Sequence, residues 1–399
     1  FDTVRLSAQG AKADAKLSWV INGKEVAEGK DYAFTQARVG RYQVSLVDKT
    51  SGEKVSKDFS VTGRFTSGAF LLNEGNFGNE TGTLTYIDAS KQFVLDSAYI
   101  RVNGTKLGNV CQDMTFANGK VYILSQNGPR NGGEGLLTIA DAKTLEKHKV
   151  INDATLAKDW PTHIAVVHSR IYLRGNSGIY RGTEEGSFKL IPGTEKANKL
   201  RMVTIGELVI ATTSTNKLLV IQDEEVKQTF TLPEGSPSGL ALAPDGQLWL
   251  SYSKPNTLAK VSVSASGVKI LDKHTTTQSL DKKYTATSAI FARANQIFFT
   301  EQSSVIYRHD FSTGETKEIV DVQKVDKQAK MYYNSLGVSP VTGELFYAAL
   351  EGYGTYKTKN VTLALKPDGT PLLLKQGVNS FPAGFYFIPT AMSSTATHH

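Results

Sequence analysis

The sequence predicts an all-β chain, a seven-bladed β-propeller carried behind a small β-sandwich. Three observations predict it. A unit of roughly 40–55 residues recurs along residues 66–389, the length of a four-stranded blade. Almost no stretch carries the 3.6-residue period of an amphipathic helix, whereas period-2 alternation is common. Residues 1–63 stand outside the repeat and alternate on their own.

The head comes first. Trp19, in Leu17–Val26, reads as a core tryptophan on a strand that runs into an Asn22-Gly23 turn. Gly40–Val47 then alternates strictly. This predicts a sandwich of about 60 residues, similar to the PKD-like branch of immunoglobulin folds, ending near Thr62-Gly63-Arg64. Such a module is expected to be a spacer or interaction domain.

The repeat follows. Blade two is read from Asp113–Ser125 and Gly135–Asp141, blade three from Pro161–Leu173, and blade four from Met202–Ala211 and Leu218–Asp223. Blade five is read from Pro237–Leu250, blade six from Ser288–Phe299 and blade seven from Leu336–Tyr347. Asn118-Gly119, Asp245-Gly246 and Asp368-Gly369 are hairpin turns that need positive φ. Blade one lacks a first strand: Gly68–Asn76 and Gly82–Asp88 resemble only second and third strands. Phe381–Ile388 supplies the missing one, which closes the ring and removes an open sheet edge. The count is seven; it drops to six if residues 200–235 are not a blade. Residues 390–399 are a tail whose final His398-His399 reads as part of an affinity tag.

Composition narrows the chemistry. The net charge is +7, but Lys and Arg are scattered, and the tightest stretch, Lys324–Lys330, is broken by Asp326. Nucleic acid is therefore not an expected partner. No apolar run reaches the roughly 18–20 residues of a membrane-spanning helix. The single cysteine, Cys111, rules out an intrachain disulfide and a cysteine-based zinc site, and it reads as a small buried hydrophobe. No histidine pair has metal-ligand spacing on a helix. Gly235-Ser-Pro-Ser-Gly239 has Pro237 where a nucleophile elbow needs Ser. Gly132–Gly135 lacks the strand-then-helix setting of a phosphate loop. No catalytic residue, metal or cofactor is expected.

In a propeller, the loops after second strands and before first strands gather around the axis on one face. After second strands they supply Asn73, Glu74, Asn76 and Phe77 in blade one, Gln126, Asn127 and Arg130 in blade two, and Arg174 and Asn176 in blade three. Asn216, then Tyr252 and Lys254, then Glu301 and Gln302, then Glu351, Tyr353 and Tyr356 continue through blades four to seven. Before first strands stand Trp160 and His163, then Arg201, then Tyr332, Tyr333 and Asn334, and finally Phe381. Amides donate and accept hydrogen bonds and aromatics offer rigid apolar area, which together suit a large neutral-to-anionic ligand. Glu301 and Glu351 could instead hold Ca²⁺ as in lactonase-type propellers. That reading needs more acids where Arg174, Asn216 and Lys254 stand.

Phe70–Asn79, with its Asn73-Glu-Gly-Asn76 run, and Gly82–Asp88 resemble the YncE-like surface propellers of Bacteroidetes bacteria. Some members carry a PKD-like front domain. One branch is the surface lipoproteins that capture vitamin B12 for a TonB-dependent outer-membrane transporter. The resemblance implies a non-catalytic lipoprotein on the cell outer membrane that binds cobalamin over the funnel and passes it to such a transporter. A protein-binding scaffold or adhesin, and a Ca²⁺-dependent lactonase or lyase, are the alternatives.

Overall fold

The structure is a computed structural model that describes residues 3–36, 38–281, 290–332 and 334–389. It divides into two compact units between Thr66 and Ser67, a few residues beyond the expected boundary.

The first unit holds two small sheets. Lys24–Glu28, Leu17–Ile21, Gly40–Asp48 and Lys54–Val61 lie in that order in one antiparallel sheet, and Val4–Ser7 pairs with Asp31–Phe34 in the other. Asn22 and Gly23 both take positive φ, 48° and 84°, which lets the hairpin turn follow the twist of its strands. Trp19, Ile21, Phe34 and Val44 from both sheets form the core. Trp19 keeps its indole N–H satisfied by donating to the Gly29 carbonyl at 3.0 Å.

The second unit is a β-propeller of seven four-stranded antiparallel sheets. Its innermost strands touch in a ring: Pro382–Phe387, Cys111–Ala117, His163–Val167, Val203–Ile205, Ser236–Leu242, Ile290–Arg293 and Leu336–Val338, which returns to Pro382–Phe387. Residues 200–235 do form a blade, with strands between Val203 and Thr231. Blade six opens with Ile290; Ser288 lies outside the described residues.

The closing strand falls where the sequence places it. Pro382 pairs with Asn73 and Phe387 with Ala69, antiparallel, so the chain's far end completes blade one. The fit is tight. A Cβ built on Gly337 of blade seven would sit 2.5 Å from Phe385 Cβ, so only glycine lets the two innermost strands approach.

Apolar side chains pack between neighbouring blades. Tyr122, Leu137, Ile164 and Leu173 join blades two and three, while Phe298, Leu336, Tyr347 and Leu363 join blades six and seven. Strands covered on both faces, such as Leu345–Leu350, are buried throughout; the outermost strand Glu225–Thr231 alternates exposed and half-buried. Three innermost strands carry a bulge near their start, at Cys111/Asp113, Pro237/Gly239 and Pro382/Gly384. A bulge re-aims side chains at the mouth of a sheet. No helix among the described residues is long and apolar enough to cross a membrane.

Candidate functional site

The loop-bearing face described above carries an unusual set of rings. Among the described residues, the large aromatics left exposed are Phe77 (45%), Trp160 (48%) and Tyr353 (71%). All three stand on loops of that face. Leaving such area in water is unfavourable by roughly 25 cal/mol per Å², so three such rings on the loops of one face offer apolar area to a ligand.

Two of the rings are held in place. The Arg130 guanidinium lies over Phe77 at 4.4 Å from its centroid. The loop beneath is stitched to blade two: Asn109 Nδ2 donates to Asn76 O at 3.3 Å and to Glu80 O, and Asn131 Nδ2 donates to Phe77 O at 3.2 Å. On the other side Phe381 is sandwiched, 5.9 Å from Tyr353 and 4.5 Å from Tyr356. Lys357 pairs with Glu80, tying blade seven's loop to blade one's. Trp160 caps the helix Ala154–Asp159 with φ of 53° and has no such clamp.

Below the rim lies an ionic layer. Tyr386 of blade one donates to Asp113 Oδ1 at 2.6 Å, and Asp113 Oδ2 accepts from the Ile164 N–H of blade three at 3.0 Å. Arg201 of blade four stands 3.5 Å from Asp113 and 4.4 Å over the Tyr386 ring. Gln112 donates to Glu74 at 2.9 Å. Burial drives the Glu74 carboxyl up to about 7, against the pull of Lys199. Burial likewise lowers Lys199, which Glu74 attracts and Arg174 repels. Arg174 donates to Ala197 O at 3.1 Å and Thr162 Oγ1 at 3.3 Å.

Several expected contacts turn out to serve the fold. Asn73 is fully buried: its amide donates to Thr83 and Thr85 hydroxyls and its carbonyl accepts from Ser380 N–H, so it latches the closing strand. Tyr252 is fully buried in the core between blades four and five and cannot reach a ligand. His163 is buried against Thr162, and Asn334 is buried with its amide on Pro382 O. Asn216 spends its amide on Leu232 O. Tyr332 donates to Ala329 O and packs on Tyr347. Gln126 and Asn127 form a chain of amides to Asn109.

The two carboxylates considered for Ca²⁺ are engaged elsewhere. Glu301 accepts from Ser279 N–H at 2.6 Å, and Glu351 pairs with Lys330 and Lys359, each at 3.4 Å. No group of three or more His, Cys, Asp or Glu among the described residues could hold a metal ion. Asn176 and Lys254 are exposed, and Gln302 is half-buried. Tyr333 lies outside the described residues. Cys111 is fully buried, and burial pushes its thiol far up, which leaves no reactive thiolate.

Sequence reading missed Gln112, Asp113, Lys199 and Tyr386. The first two sit at an innermost-strand bulge that alternation does not reveal. A separate cavity of about 120 Å³ is lined by Thr81, Thr83, Tyr99 and Lys106.

Among solved structures, the chain is similar to a quinonprotein alcohol dehydrogenase-like protein from Bacteroides thetaiotaomicron VPI-5482, with a TM-score of 0.60 and 16% identity over 97% of this chain and 95% of that one. It is also similar to a protein from Lactobacillus plantarum, with a TM-score of 0.52 and 10% identity over 81% of this chain and all of the other. At these identities the likeness shows the propeller fold alone. No curated protein matches the chain. A family model described as Domain of unknown function (DUF5074) matches residues 67–389, and the chain belongs to that family.

Proposed function

We propose that this member of the DUF5074 family is a non-catalytic capture protein of the cell outer membrane, surface-exposed as a lipoprotein, that binds cobalamin over a seven-bladed funnel. Its partner is a TonB-dependent outer-membrane transporter, to which it delivers the ligand. The N-terminal unit, an immunoglobulin/PKD-like sandwich in this reading, is the spacer.

The observation that carries the reading is the exposed trio Phe77, Trp160 and Tyr353 on one face, set among amides and Arg130. Flat apolar area beside groups that both donate and accept suits a corrin ring fringed with amides and bearing one phosphate. Phe77 and Tyr353, packed on Arg130 and Phe381, lose little freedom on binding, which favours tight capture.

Calorimetric titration of the protein with cyanocobalamin tests it. Saturable heat and a thermal shift at micromolar ligand are expected. No heat and no shift at that concentration removes cobalamin as the ligand.

A further inference from the structure

The cavity of about 120 Å³ lies where the end of blade one's loop, residues 74–82, meets the helix Ala98–Asn103 and the chain leading into blade two. None of its lining residues belongs to the exposed aromatic rim. Its size bounds the occupant. An apolar cavity of about 150 Å³ takes benzene, so this one takes a molecule of about five heavy atoms.

Its walls are partly apolar. Leu84 and Leu107 are buried, and the helix adds the buried Tyr99 and the half-buried Ile100. The Tyr99 hydroxyl is already committed: it donates to Glu134 Oε2 at 3.3 Å, and Glu134 pairs with Lys147 at 2.6 Å. The ring is what Tyr99 has left to offer.

The polar part of the lining is unspent. Among the described residues, the Lys106 ammonium makes no ion pair or hydrogen bond, and the Thr81 and Ser97 hydroxyls make no hydrogen bond. Ser97 precedes the helix without capping it. Thr83 Oγ1 accepts from Asn73 Nδ2 at 3.2 Å, which leaves its proton to give. No carboxylate lines the cavity. The acids next to it in the chain are matched elsewhere: Glu80 pairs with Lys357, and Asp96 stands with Arg101, whose Nε donates to the Asp96 carbonyl at 2.7 Å. Lys106 is therefore the uncompensated charge at this seam.

An ammonium, hydroxyl donors and apolar walls sort the possible occupants. A metal ion would find no anionic ligand, a sugar or nucleotide is too large, and a plain hydrocarbon would leave the donors unanswered. A carboxylate accepts from the ammonium and the hydroxyls together, and a short tail covers the Leu84, Tyr99 and Ile100 walls. We propose that this cavity is a binding site for a short aliphatic carboxylate of about three carbons, recognised by Lys106 and the Thr81, Thr83 and Ser97 hydroxyls. The site stands apart from the rim and does not depend on what the funnel captures.

The test titrates sodium propionate into the full chain at ionic strength matched with chloride, followed by saturation-transfer NMR of the propionate methyl group. A saturable signal is expected, with a Kd of about a millimolar, the range open to so small a ligand. Propionamide has the same size and no charge, and should bind about tenfold more weakly or worse. Lys106 is exposed, so Lys106→Met should keep the wild-type Tm while propionate affinity falls about tenfold. Lys106→Arg should restore it. Ile100→Trp fills the cavity and should abolish binding; if that variant does not fold, Lys106→Met carries the test alone. A signal that does not saturate, or that chloride removes equally well, overturns the site. Equal affinity for propionamide overturns the carboxylate. Unchanged propionate affinity in Lys106→Met, or in folded Ile100→Trp, puts the ligand elsewhere and overturns the cavity as its site.

Discussion

Single side chains divide on this face into those the fold has consumed and those it leaves available. Asn73 and Tyr252 belong to the first kind, Trp160 and Tyr353 to the second. Because both rings are exposed, Trp160→Ala and Tyr353→Ala should leave the unfolding midpoint within experimental error. Each should weaken ligand capture about tenfold by calorimetry, the cost of an aromatic anchor. Glu74 gives a pH prediction. Its carboxyl titrates near 7 when folded, against an ordinary value of 4.5. Between those values the folded chain keeps a proton that the unfolded chain has released, so stability falls as pH rises through the window. Glu74→Gln cannot titrate, so its unfolding free energy relative to wild type should climb across that window, by up to about 3 kcal/mol. Urea titrations at several pH values read this directly, and a flat difference would contradict the buried carboxyl.

Strands and their ends decide which of these side chains reach the axis. The blades were legible because hairpin chemistry and alternation are local: Asn118 and Gly119 both take positive φ, as an Asn-Gly turn predicts. At Asp245-Gly246 and Asp368-Gly369 only the glycine does. The closing strand was legible by subtraction, since blade one lacked a member. The floor of the funnel was not legible, because its residues come from different blades and a bulge at Gln112 breaks the alternation that would have aimed them. Asn73 misled because an amide after a second strand looks the same whether it faces ligand or latches a strand. Phe385 tests the closing strand as an element. It is buried against Phe346 and crowds Gly337. Phe385→Ala should cost about 3–5 kcal/mol in urea unfolding. Leu374→Ala, on the exposed outermost strand of blade seven, should stay within about 0.5 kcal/mol.

At the scale of the molecule, each unit has its own core, Trp19 with Phe34 in one and the inter-blade clusters in the other. A chain of residues 67–389 should therefore fold alone, keep its strand signal in circular dichroism and capture ligand as the full chain does. Loss of cooperative unfolding in that fragment would show that the units depend on each other. The ring also has a history within each molecule. The strand Ala69–Asn73 is made early and its partner Pro382–Phe387 comes roughly 300 residues later. At a synthesis rate of about 5–20 residues per second, the first blade waits some 15–60 s with a bare edge. Every newly made copy passes through that interval as an open arc, able to pair with the unfinished edge of a neighbour on the same message.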